Sequence, residues 1–368
     1  MNRVDIARFE FDYDTTWAAF FTDSKLRIYS RYGGRDEHEP ESRLSKGSLL
    51  QTMREVLDAH KTAISDRSGE RAGVSPPTDS NALSRGPDGT PLAKNKGVPL
   101  WHPEPKSSTT PLDIPLLKKN HQGCVHCHQV REYSLLQAYH DKRFSREMLF
   151  TFPLPESLGI EIDRAHGHRV SRVRDDSVST AATLSAGDVV LRCADVPIRS
   201  ELDLRWALHR LPPTSDRVTL LVDRPIVTAD GSAKQRLELQ LALPSGWRQS
   251  ELSWRKSSRS YPSDWGFRAA ALAKFERREA GLPETGLAIR VLSIKPRGLA
   301  QALGLQKGDV ITALGDDARE RTLDRLRSDM LRRFAPGDEV RMRIRRDAET
   351  VELSGKFPAW FTEETTVP

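Results

Sequence analysis

The sequence predicts an α+β chain of several domains, most of it antiparallel β structure. Three observations carry that reading. The chain has 368 residues, more than one small core needs and suited to two or three domains. One order of signals occurs twice, between Leu158 and Leu243 and again between Trp265 and Leu353. Glycine and proline, 23 of each, gather in stretches that separate folded units.

Each predicted element follows from local pattern. Over 8–32 the sequence reads as two strands: Trp17 to Phe21 is an apolar run, Thr22-Asp23-Ser24 a turn, and Leu26, Ile28 and Tyr29 lie in a second strand ending at Gly33-Gly34. Ser45 opens a helix with Leu49, Leu50, Met53, Val56 and Leu57 on one stripe, closing near His60-Lys61. From about 65 to 120 prolines interrupt every element and apolar periodicity vanishes, as in a linker or wrapping segment. A cysteine pair follows, then a helical stretch over 132–148.

The repeat comes last. An apolar-Gly-apolar opening leads to a Val-rich strand, a Leu-x-x-Gly-Asp-Val turn, an amphipathic helix and a final strand. In the first copy these are Leu158-Gly159-Ile160, 184–189, a helix over 200–211 and a strand over 218–222. In the second they are Trp265-Gly266-Phe267, 304–310, a helix over 322–334 and a strand over 340–344. The repeat resembles the PDZ fold. That resemblance implies that the opening loops turn backbone N–H groups toward a peptide's terminal carboxylate, and that the peptide adds as a strand beside the helix. Leu158, Gly159, Ile160, Trp265, Gly266 and Phe267 are the expected peptide-binding residues. The first copy departs from the pattern at Thr183, where glycine is usual. Gly187-Asp188 and Gly308-Asp309 read as structural turn residues.

Gly123-Cys124-Val125-His126-Cys127-His128 fits c-type haem attachment. Two thiols three residues apart reach both vinyl groups of a porphyrin, and His128 falls under the iron as axial metal ligand. Met148 is the expected second ligand, with His121 and His140 as rivals. The same residues also suit zinc, a redox dithiol or an unoccupied pair. Cys193, alone in an apolar stretch, reads as a buried filler.

The strings Phe11-Asp12-Tyr13-Asp14 and Arg31-Tyr32-Gly33-Gly34-Arg35 look like the second half of a thioredoxin-like domain. With the CxxCH element and the repeats, the chain resembles a bacterial family of thioredoxin-like, PDZ-containing proteins, some of them selenoproteins. The resemblance implies a redox motif that this sequence lacks, so no catalytic residue is assigned, and Asp12 and Asp14 read as loop and cap residues. The expected organisation is a partial thioredoxin-like segment over 1–62, a linker over 63–118 and a CxxCH segment over 119–150. PDZ-like domains over 151–245 and 264–355 flank a connector over 246–263, and 356–368 is a tail.

The function expected is peptide capture by a binding or scaffold protein; the alternative is a redox protein. A net charge of +6 over this length does not call for nucleic acid. No apolar run approaches the roughly 18 residues of a membrane span, and no Gly-x-Ser-x-Gly or His-Glu-x-x-His protease signature occurs. The first residues lack a signal peptide, which read literally means a cytoplasmic protein. The half-domain at the start instead favours a shortened reading frame with Met1 internal, and then an extracytoplasmic, periplasmic location.

Overall fold

The computed structural model describes residues 1–71, 98–120, 122–228, 231–258, 266–295 and 299–359. In chain order the elements are β1 (Ala18–Thr22), β2 (Ile28–Gly33), α1 (Lys46–Arg71), α2 (Pro115–Asn120) and α3 (Cys127–His140). Next come β3 (Ile160–Ile162), β4 (Val170–Val173), α4 (Val178–Ala181), β5 (Val189–Cys193), β6 (Val196–Pro197), α5 (Glu201–Arg210), β7 (Arg217–Thr228) and β8 (Gly231–Ala242). The last are β9 (Phe267–Ala271), α6 (Lys274–Glu279), β10 (Ile289–Ile294), α7 (Leu299–Ala302), β11 (Val310–Leu314), α8 (Leu323–Arg333), β12 (Glu339–Arg346) and β13 (Glu349–Lys356).

The two copies share one topology. In the second, the strands form a sheet in the order β13-β12-β11-β10-β9. In the first, β8-β7-β5-β6 and β3-β4 are separate sheets, linked where Arg169 bridges Val189. The hydrogen bonds around the Gly-Asp turn match one for one. Val170 N–H donates to the Asp188 carbonyl and Gly187 N–H to the Val170 carbonyl, each at 2.8 Å; Val291, Asp309 and Gly308 repeat this at 2.8 and 2.9 Å. The Asp188 carboxylate accepts the Ser185 N–H and both arms of Arg224; Asp309 accepts the Gln306 N–H and both arms of Arg346. These aspartates are structural, as the sequence implied. Their arginine partners recur at nearly equal spacing, 36 and 37 residues, a signal the sequence carries without a motif to mark it. The final helices also start alike: Ser200 Oγ accepts the Asp203 N–H, and Thr322 Oγ1 accepts the Arg325 N–H.

Around this common plan the chain divides into two compact units. One comprises Arg3–Thr110 and Phe150–Ser250; the other comprises Met1–Asn2, Pro111–Leu149 and Glu251–Pro368. The division falls at 110/111, inside the expected linker over 63–118, and at 149/150, beside the expected end of the CxxCH segment over 119–150. Residues over 1–62 fall, from Arg3 on, in the unit of the first copy. The N-terminal hairpin and α1 pack with the first copy, and the CxxCH segment falls in the unit of the second. The expected connector over 246–263 is likewise divided: Trp247 joins the core of the first copy, whereas the Leu252 N–H donates to Ser328 Oγ on α8. Helix ends moved as well. α1 runs on to Arg71, with no proline to stop it after Lys61. α3 spans 127–140 rather than 132–148, closing where Arg143 N–H reaches the Ala138 carbonyl and Lys142 turns left-handed at φ +56°. A lysine there gives no glycine signal to read.

What holds the hairpin and α1 to the first copy is buried polar chemistry at the start of α5. The Asp203 carboxylate accepts Ser30 Oγ–H and Arg31 N–H at 2.7 Å each and Arg199 N–H at 3.0 Å, with His102 Nε2 at 3.2 Å. His102 Nδ1 faces the Arg31 guanidinium, a pure donor, and Nε2 faces the Pro197 carbonyl and Asp203, pure acceptors. The ring is therefore the neutral Nε2–H tautomer, and burial together with Arg31 and Arg199 pulls its pKa down against the pull of Asp203. β1 and β2 form a two-stranded sheet whose residue Tyr29 packs on Val56 and Ala59 of α1.

His168 behaves in the opposite sense. Both ring nitrogens meet acceptors, the Val190 carbonyl and the Glu55 carboxylate of α1, each at 2.9 Å. Burial disfavours the imidazolium, but the Glu55 partnership outweighs it and the pKa rises. A raised pKa contributes stability that is complete below about pH 6.5, the unfolded value, and fades as pH climbs through the folded one. His168→Gln is expected to cost about 1–3 kcal/mol at pH 5.5 and less at pH 8.5, measured by urea unfolding at both. An equal loss at the two values would show that His168 is not charged in the fold.

The departure at Thr183 has a conformational consequence. Thr183 adopts φ +63° where Gly304 of the second copy has φ +74°, and a β-branched residue is strained there. Thr183→Gly is expected to stabilise the unit by about 1 kcal/mol, read as a higher denaturant midpoint; a lower midpoint would count against the strain.

Candidate functional site

In the second copy the expected groove lies between β9 and α8. β9 ends its sheet and, among the described residues, pairs with β10 alone. An edge of this kind offers backbone donors and acceptors to an added strand. Gly266 stands just before it at φ +74°, its carbonyl accepting the Lys295 N–H at 2.7 Å. Phe267 is buried. Trp265, the third residue expected in this loop, lies outside the described residues. On α8, Leu326 and Met330 point into the core, while Ser328 and Leu331 pack with Leu252 and Ser258 around a small cavity. Arg325 pairs with Glu251, and Arg327 with Asp324 of its own helix.

The opening of the first copy is built differently. Leu158 and Ile160 are buried at 1% exposure each, inside the core. Gly159 adopts φ +81°, and its N–H donates to the Glu156 carbonyl at 3.0 Å, so that group is already used. A Cβ on Gly159 would sit 2.3 Å from Cβ of Ser177, so close packing as well as φ requires glycine here. Along α5 the residues Glu201, Arg205 and His209, four apart and on one face, are all covered. Arg43 pairs with Glu201; Arg205 donates to the Asp12 carboxylate and the Phe152 carbonyl; the Phe152 ring stacks on His209 with centroids 4.5 Å apart. Asp12 was expected in a loop, and it does cap a turn, accepting the Asp14 N–H. Its burial and its ion pair with Arg205, 193 residues away, left no local signal.

The CxxCH residues gather at the start of α3. Cys124 is exposed, Cys127 is half-buried as the first helical residue, and His128 is 3.8 Å from Glu132 one turn on. The His126 N–H donates to Gln129 Oε1, which caps the helix. Asn2 holds the loop from outside, donating to the Gly123 carbonyl and accepting the Val125 N–H. Met148 follows in a short 3-10 turn, and Arg131 of α3 donates to its carbonyl at 3.3 Å and to that of Leu149 at 2.6 Å. His121 lies outside the described residues, and among those described no three His, Cys, Asp or Glu side chains assemble a metal site. Cys193 is fully buried, and burial pushes its thiol up to about 12. No described helix is long and apolar enough to cross a membrane.

Residues 269–356 match a family model described as a PDZ domain. No curated protein matches the chain. Solved structures with local similarity include the HtrA-type protease AlgW with decapeptide, 19% identical over 39% of this chain and 50% of that one, TM-score 0.22. The HtrA3 PDZ domain bound to a phage-derived ligand is 20% identical over 25% of this chain and 80% of that one, TM-score 0.21. AlgW with tripeptide is 19% identical over 39% and 55%, TM-score 0.23. The chain thus spans about half the length of these protease structures, and at such TM-scores the weight rests on the family match. Together with the sheet order and the edge strand, it establishes that residues 269–356 form a PDZ domain.

Proposed function

We propose that the protein captures extended or C-terminal peptides in the groove of its second PDZ-like copy, the peptide pairing with β9 beside α8. The observation that carries this reading is the edge position of β9 next to a left-handed Gly266. Such a glycine lets a backbone loop approach an anion with no Cβ in the way, and the strand edge supplies main-chain bonds that do not depend on peptide sequence. A library of random heptapeptides with free C-termini, displayed on phage, tests it on the full chain. Selected peptides are expected to lose at least about tenfold in affinity for Gly266→Val, or about 1.4 kcal/mol, with thermal unfolding still cooperative. Equal affinity for both proteins would remove the ligand-loop assignment.

A second reading concerns the cysteine pair. We propose that Cys124, Cys127, His128 and Met148 would hold a covalent haem c, which would add electron transfer to peptide binding. Support comes from Cys127 and His128 sharing the first turn of α3 and from Arg131 tying the Met148 carbonyl to the same helix. Maturation of this kind belongs outside the cytoplasm, so this reading carries an extracytoplasmic location with it. The thioredoxin-like resemblance of residues 1–62 is supported by their hairpin-then-helix order alone and assigns no further thiol. Protein made with haem-maturation machinery is expected to show a Soret band that Cys124→Ala and Cys127→Ala abolish and His128→Ala shifts. A colourless wild-type preparation that binds zinc would favour the metal reading instead.

A further inference from the structure

The two copies share strand order, turn chemistry and helix start, so the face of α5 that carries Glu201, Arg205 and His209 corresponds to the face of α8 that carries Leu323, Arg327 and Leu331, counted from the capping residues Ser200 and Thr322. In a PDZ-like groove this helix is one wall and the apolar-Gly-apolar loop is the other end. We infer that the groove of the first copy is the seat of the chain's own N-terminal segment, and that peptide capture is confined to the second copy; the second half of this inference rests on the peptide-capture reading above.

Four features of the first copy carry the inference. Arg43 spans the groove: its Nη1 meets Glu156 of the loop at 2.5 Å and Glu201 of the helix at 3.1 Å, while its Nε meets Asp36 at 2.8 Å. One guanidinium therefore ties both walls to the N-terminal segment, and three carboxylates hold it charged despite its burial. Second, Arg205, fully buried at mid-helix, spends its guanidinium on Asp12 and on the Phe152 carbonyl, and Gly34 lies so near that a Cβ would meet its Nη1 at 2.9 Å. Third, the Gly159 N–H, which a ligand carboxylate would need, is bonded to Glu156. Fourth, the segment is anchored below the groove by Asp203, through Ser30 and the Arg31 amide. Displacing it would strip Arg205 of the Asp12 carboxylate and Asp203 of the Ser30 hydroxyl and the Arg31 amide, and breaking buried pairs singly is costly. On α8 the matching Arg327 pairs with Asp324 of its own helix, and the short segment carrying Leu252 and Ser258 packs on Leu331.

Hydrogen–deuterium exchange on the full chain tests both halves. With no peptide added, fragments covering 28–33 and 201–210 are expected to exchange about a thousandfold or more slower than an unstructured chain. Exchange of 28–33 within about tenfold of the unstructured rate would show the segment leaving the groove and would overturn the inference. On adding a heptapeptide selected from the phage library, slowing is expected in 266–271 and 323–333, with 160–162 and 201–210 unchanged. Slowing in 160–162 and 201–210 would overturn it as well. If the library yields no binder, the peptide-capture reading falls, while the exchange of 28–33 still decides whether the first groove is occupied by the chain itself.

Discussion

The carboxylate of Asp203 is the point on which the first unit is organised. It lies in the first turn of α5, where the helix dipole favours a negative charge, and it is wholly buried. A bare carboxylate there is untenable, and the fold answers with a hydroxyl, two backbone amides and an imidazole N–H. Burial pushes the Asp203 pKa up, and these donors more than reverse that, so the group stays ionised. Two of the donors, Ser30 Oγ and the Arg31 amide, come from β2, and His102 comes from the segment after α1. Satisfying one side chain thus fixes the placement of the N-terminal hairpin.

From that anchor the rest follows. With β2 fixed, Arg31 lies over the Trp206 ring at 3.6 Å, the His102 imidazole beside it stacks on the same indole, and Trp206 donates to Glu10. The remaining charges are then forced into pairs, Asp12 with Arg205 and Arg43 with Glu156 and Glu201. Buried pairs of this kind add little net stability over apolar packing but are costly to break singly. They specify one arrangement of the N-terminal segment on the first copy.

The duplication itself was legible because its signals are local. The Gly-Asp turn needs a glycine at positive φ and a carboxylate that closes on its own loop, and both leave fixed spacing in the sequence. The caps at Ser200 and Thr322 are equally local, and the helices they start ended within a residue of expectation. The CxxCH string was legible for the same reason, although the start of its helix was set too late, since a cap made by Gln129 on the His126 amide has no strong pattern. Which core each flanking piece joins was not legible. Proline-rich composition marks where regular structure stops, and it does not say which core the flanking pieces join.

By itself the sequence determined what depends on short range: the repeated β-α order, the Gly-Asp turns, the capped final helices and the cysteine pair beside His128. Only the tertiary structure decided what covers α5 of the first copy. Arg43, Arg205, Asp12 and Phe152 are ordinary surface or loop residues when read in order, and their meaning arises from pairings across more than 50 residues. Burial makes those pairings obligatory, because a charge removed from water must find its partner wherever the chain brings one.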